Sequence, residues 1–140
     1  MMYGNDPKQY RRFFQETWRK HRERLPLQHL EEIVARIIAD HPEYHTLLEN
    51  PDQLDHDYSP EVGRSNPFLH MGLHIAIQEQ LAADRPAGIR ALYQRLVQGH
   101  ADPHHVEHRM AECLAESLWD AQRAGGIPDE AAYLEHLRGL

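Results

Sequence analysis

Apolar residues recur at three- and four-residue spacing along most of the chain, and no stretch alternates with period two through β-branched residues. That pattern predicts an all-α protein, a helical bundle of about six or seven helices in a single domain over residues 1–140. Proline marks the starts, because its missing N–H costs nothing at the first helical position. Asp6-Pro7, Asn66-Pro67 and Asp102-Pro103 place a capping side chain directly before it, and His41-Pro42, Arg85-Pro86 and Ile127-Pro128 are weaker forms. Helices are expected from near 7, 26, 42, 67, 86, 103 and 128, with stops at Asn50-Pro51, Gly99 and Gly125-Gly126. The first, 7–24, is amphipathic: Tyr10, Phe13, Phe14 and Trp18 share one side and Arg11, Arg12, Arg19 and Arg22 the other. Residues 51–65, PDQLDHDYSPEVGRS, read as one long irregular loop, a kind of connection often tied to function.

The helix expected over 67–82, in NPFLHMGLHIAIQEQL, breaks its apolar run with His70 and His74. Positions i and i+4 lie about 40° apart around a helix, so the two imidazoles share a face. Leu73, Ile77 and Leu81 flank that face on one side and Met71 and Ile75 on the other, which puts both histidines inside the apolar arc. A buried imidazole needs a partner. Gln78 extends the stripe, while Glu79 projects to the far side and suits a supporting or structural role. Gly72 costs about 1 kcal/mol relative to alanine in mid-helix, which points to a close backbone approach there.

A second stripe runs through the helix expected over 103–124. His104, His108, Glu112 and Glu116 follow at four-residue steps beside a core face of Val106, Met110, Cys113 and Leu114. Imidazoles with a carboxylate suit Zn²⁺, or a redox-active ion such as iron, manganese or nickel. Facing helices that each supply a pair are how bundles commonly hold metals. The expected ligands are therefore His70, His74, His104, His108 and Glu112. The rival reading is a non-catalytic interaction module whose buried histidines are hydrogen-bonded to Glu112, Glu116 and backbone carbonyls. In HPEYH, Pro42 sets His41 at an N-cap, so a capping or surface role is expected there, with His45 as a spare ligand. His21, His29, His56, His100 and His136 read as surface residues.

Composition narrows the field further. Twelve histidines against three phenylalanines is a high count, but exposed histidines are common and position decides their role. A lone cysteine, Cys113, rules out an intrachain disulfide framework and an all-cysteine zinc site, and favours the cytoplasm. No apolar run is long enough to span a bilayer, and the first residues lack a signal-peptide core. The net charge of −7 argues against nucleic acid as a partner of the whole surface. Residues 1–24 nevertheless carry +4, which leaves RNA association through the first helix as a third and weaker reading. A homo-oligomer would suit the same pattern. Walker, Rossmann, GxSxG, HExxH and deaminase motifs are missing, so no nucleotide or organic cofactor is indicated and the sequence decides no reaction.

The blocks NPFLHMGLHIAIQEQ and HHVEHRMAECLAESLWDAQRAGGIPD, with RRFFQETWRKHR and HPEYH, resemble the family called domain of unknown function 1841 across essentially the full chain. The resemblance implies a small bacterial cytoplasmic protein and brings no activity with it. A looser likeness is to helical metalloproteins of the hemerythrin and DinB types. Hemerythrins place HxxxE before HxxxH, whereas here the 70/74 pair precedes His108 and Glu112, so the likeness is one of architecture alone.

Overall fold

In the computed structural model, residues 7–50, 66–99 and 102–140 are described, and the 51–65 loop expected from the sequence lies outside them. The described residues form α-helices and a short 3-10 turn, with no strand. In order, the helices are α1 (Pro7–Arg22), α2 (His29–Ala39), α3 (His45–Leu48), α4 (Pro67–Ala83), α5 (Ile89–Gly99), α6 (Pro103–Ala124) and α7 (Glu130–Arg138); the turn, Pro42–Tyr44, precedes α3. Among the described residues, no helix is long and apolar enough to cross a membrane. The chain divides into two compact units, Met1–Gly72 and Leu73–Leu140.

Where a capping side chain precedes proline, the helix begins where the sequence places it. Asn66 accepts from the backbone N–H groups of Phe68 and Leu69 at 3.0 and 3.2 Å, which starts α4. Asp102 accepts from His104 N–H at 3.0 Å and starts α6. Both satisfy donors that a helix end leaves without intrahelical partners. Of the weaker proline sites, Pro42 opens the 3-10 turn at the expected position and the others shift. Pro26 does not start α2; Glu31 accepts from Gln28 N–H at 2.9 Å and the helix opens three residues later than expected. Pro86 follows a cis peptide bond and does not start α5, which begins at Ile89 after Gly88 at φ 95°. Asp129 rather than Pro128 sets the start of α7, accepting from Ala132 N–H at 3.1 Å. At its other end α6 stops at Gly125, whose φ of 71° suits a residue without Cβ.

In Met1–Gly72, α1 packs on α2 and α3. Phe14 and Trp18 are buried, as are Ile33, Val34, Ile37 and Ile38 of α2 and Leu48 of α3. Phe14 meets Phe68 edge to face, with ring centroids 5.7 Å apart. The Trp18 ring packs against His21 and His45, 5.2 and 4.4 Å from their centroids, and its indole N–H donates to Glu49 at 3.2 Å. The close approach expected at Gly72 comes from α1: a Cβ added there would fall well inside contact with the Tyr10 hydroxyl.

In Leu73–Leu140, α5 and α7 both pack on α6 and on each other. Ile77, Ile89, Leu92, Leu96, Val106, Met110, Leu114, Tyr133 and Leu137 form its core. The Tyr133 hydroxyl donates to Gln80 Oε1 at 2.8 Å. Trp119 stands out at the surface, 59% exposed, under the Arg123 guanidinium.

Candidate metal centre

The apolar run of α4 is buried at Phe68, Met71, Ile75 and Ile77, and His74 is buried with it at 1% exposure. His70 is half-buried one turn earlier on the same helix. The arc read from the sequence therefore does carry both imidazoles away from open water.

Within Met1–Gly72, His70 meets a residue that the sequence assigned to a cap or the surface. His41 does precede Pro42, but its side chain makes no capping bond and is 2% exposed. Its Nδ1 lies 2.7 Å from the Ile37 carbonyl oxygen, and its ring stands edge-on to His70 with centroids 5.2 Å apart. Tyr44 lies parallel to His41 at 5.6 Å and edge-on to His70 at 6.2 Å. Burial, with the charge of Glu43 as a smaller cause, holds the Tyr44 phenol above its ordinary range, so it stays protonated at neutral pH. His41 and His70 offer ligand nitrogens within 4.8 Å of one another. His45 turns elsewhere: its Nε2 lies 2.8 Å from the Ile38 carbonyl oxygen and its ring packs on Trp18.

Within Leu73–Leu140, α6 brings His104 and His108 to His74. The His74 ring stands edge-on to His108 at 4.6 Å and parallel to His104 at 5.8 Å, and His104 and His108 are 4.4 Å apart. His74 and His108 offer ligand nitrogens within 4.8 Å of one another. His108 Nδ1 lies 3.1 Å from the His104 carbonyl oxygen, and His74 Nδ1 lies 3.5 Å from Glu107 Oε2. Glu107 also accepts from Gln78 Nε2 at 2.6 Å, so the polar stripe of α4 does continue to Gln78. Burial pushes the Glu107 carboxyl upward. The hydrogen bonds from His74 and Gln78, with the neighbouring His74 and His104 rings, outweigh it and hold the group below the usual carboxylate range.

The carboxylate expected beside these histidines was Glu112, and the structure puts it elsewhere: its side chain is 73% exposed and faces Arg109 at 3.6 Å. Glu79 and Glu116 are exposed too. Glu107, not singled out in the sequence, takes that place. A helical projection of α6 contains the signal. Steps of four residues drift about 40° each, so a stripe starting at His104 has turned away from the Met110–Leu114 core by Glu112. Glu107 projects between that core and His104. His21, His29 and His136 are exposed, as expected, while His56 and His100 lie outside the described residues.

The basic side of α1 meets acids of the same chain. Arg19 bridges Glu16 and Glu23, Lys20 pairs with Glu31 at 2.9 Å, Arg22 approaches Glu49 at 3.8 Å, and Arg11 lies over the Phe68 ring at 5.3 Å. Cys113 is half-buried, and burial and the nearby Glu116 raise its thiol above the ordinary value, which disfavours the reactive thiolate.

The family model described as Domain of unknown function (DUF1841) matches residues 6–139, so the chain belongs to that family. No curated protein and no solved structure matches it.

Proposed function

We propose that this member of the family binds divalent transition-metal ions through histidine pairs, His74 with His108 within Leu73–Leu140 and His41 with His70 within Met1–Gly72. The observation that carries the reading is the anchoring of the rings. His41, His74 and His108 each direct Nδ1 at an oxygen acceptor of the protein, the arrangement that fixes the tautomer and leaves Nε2 to coordinate. Helix α4 supplies one member of each pair.

The donor set favours particular metals. Imidazole donors suit zinc, copper, nickel or ferrous iron over magnesium or calcium, which prefer oxygen. Zinc takes imidazole nitrogen readily, so it is the first choice. An ion bound only by the folded chain adds stability, about 2.7 kcal/mol at a hundred times its dissociation constant.

Metal analysis of tag-free protein tests this. At least about one equivalent of a late divalent metal is expected, with a melting temperature that falls on chelation. In a His70→Ala/His74→Ala variant the metal should be lost while far-ultraviolet circular dichroism remains helical. Substoichiometric metal in both proteins, with melting indifferent to chelator, would overturn the proposal.

A further inference from the structure

Glu107 is an unusual acid for its surroundings. Its side chain is 13% exposed, and among the described residues no lysine or arginine pairs with it. Its partners are the Gln78 amide at 2.6 Å and the His74 ring at 3.5 Å. A carboxylate taken out of water is costly unless positive charge compensates it. Glutamine carries none, and His74 carries none in the neutral form that coordinates a metal.

Resting on the metal-binding reading above, we infer that Glu107 is the specificity-determining residue that favours a divalent over a monovalent cation at His74. Neutral imidazoles leave the full charge of a bound ion uncompensated, and Glu107 is the anion that reaches a ligand from the second layer. Its attraction for the ion scales with the ion's charge. The charge lost on replacing the carboxylate with an amide of the same shape therefore costs a divalent ion twice what it costs a monovalent one. The amide oxygen of the new side chain can still accept from Gln78, but its NH2 then faces His74 Nδ1. The loss of the hydrogen bond from His74 falls on both ions alike, and the difference between their losses reports the charge.

Competition titrations of wild type and Glu107→Gln with Zn²⁺, and anaerobically with Cu⁺, measure the two effects. Zn²⁺ binding should weaken about 10–100-fold, the usual effect of losing an outer partner of a ligand histidine. Cu⁺ binding should weaken by fewer powers of ten than Zn²⁺ binding, because the hydrogen-bond loss is common to both ions and the charge loss weighs more on the divalent one. Equal losses for the two ions, a larger loss for Cu⁺, or unchanged Zn²⁺ binding would each overturn the role of Glu107 while leaving the metal site standing. A wild-type protein that binds neither ion would overturn the metal reading itself. Unchanged circular dichroism in the variant separates these outcomes from misfolding.

Discussion

His41 and His74 are both buried histidines held through Nδ1, yet their acceptors differ in kind. In Met1–Gly72 the acceptor is a main-chain carbonyl at the end of α2, Ile37 for His41, and Ile38 serves His45 in the same way. The last carbonyls of any helix lack intrahelical donors, so this acceptor comes with the helix end and depends on no particular side chain. In Leu73–Leu140 the acceptor of His74 is Glu107, a single charged side chain with its own support from Gln78. The first arrangement fixes a ring and is hard to alter by mutation. The second fixes a ring through one charged side chain, so a single substitution can alter it.

The comparison has measurable consequences. The largest concerns the rings themselves: His41→Ala and His74→Ala should each weaken Zn²⁺ binding by more than the 10–100-fold attached to an outer partner. Zinc titration checks this, and unchanged affinity in His41→Ala would make that residue a cap of α2 and nothing more. Next is the support of α4 within Met1–Gly72. Gly72→Ala should destabilise by about 1–3 kcal/mol through overpacking, despite alanine's better helix propensity. Tyr10→Phe should rescue it, because the next Tyr10 atom, Cζ, is an ordinary 3.6 Å from the added Cβ. A double-mutant cycle by urea unfolding that shows no coupling would count against the contact.

The smallest effect belongs to Glu31. The backbone N–H of Gln28 and then Lys20 hold its carboxyl below the usual range against the opposing pull of burial. A folded value lowered in this way stabilises fully above the unfolded value, about 4.3, and the contribution fades as pH falls through the folded value. Glu31→Gln should therefore flatten the loss of stability between about pH 5 and pH 3, by on the order of 1 kcal/mol or less. Denaturation midpoints across that range provide the check.

Much of the fold was readable in the sequence because its signals are local. Asn66-Pro67 and Asp102-Pro103 combine a side-chain acceptor with a residue that needs no donor, and two adjacent rules agree there. At Pro26, Pro86 and Pro128 only one rule applied, and other residues decided the starts. Of the expected ligands, His74, His104 and His108 come together in one unit, and His70 meets His41 in the other. His41 was hidden because its burial depends on how the chain turns after α2, which no helical projection contains. Four-residue spacing from His104 leads to Glu112, but by that position the drift around the helix axis has turned the stripe away from the core, and Glu107 lies between the core and His104.

The two tryptophans divide between the units, Trp18 in the first at 6% exposure and Trp119 in the second at 59%. Each half of the chain thus carries its own optical label, already distinguished by environment. A buried indole beside histidines should emit toward the blue and resist soluble quenchers, while an exposed one should emit toward the red and yield to them. A Trp119→Phe protein would report on the first half alone, and Trp18 could be subtracted to follow the second. Coincident denaturation curves for the two signals would mean that the halves melt as one cooperative body; separate curves would give each half its own stability.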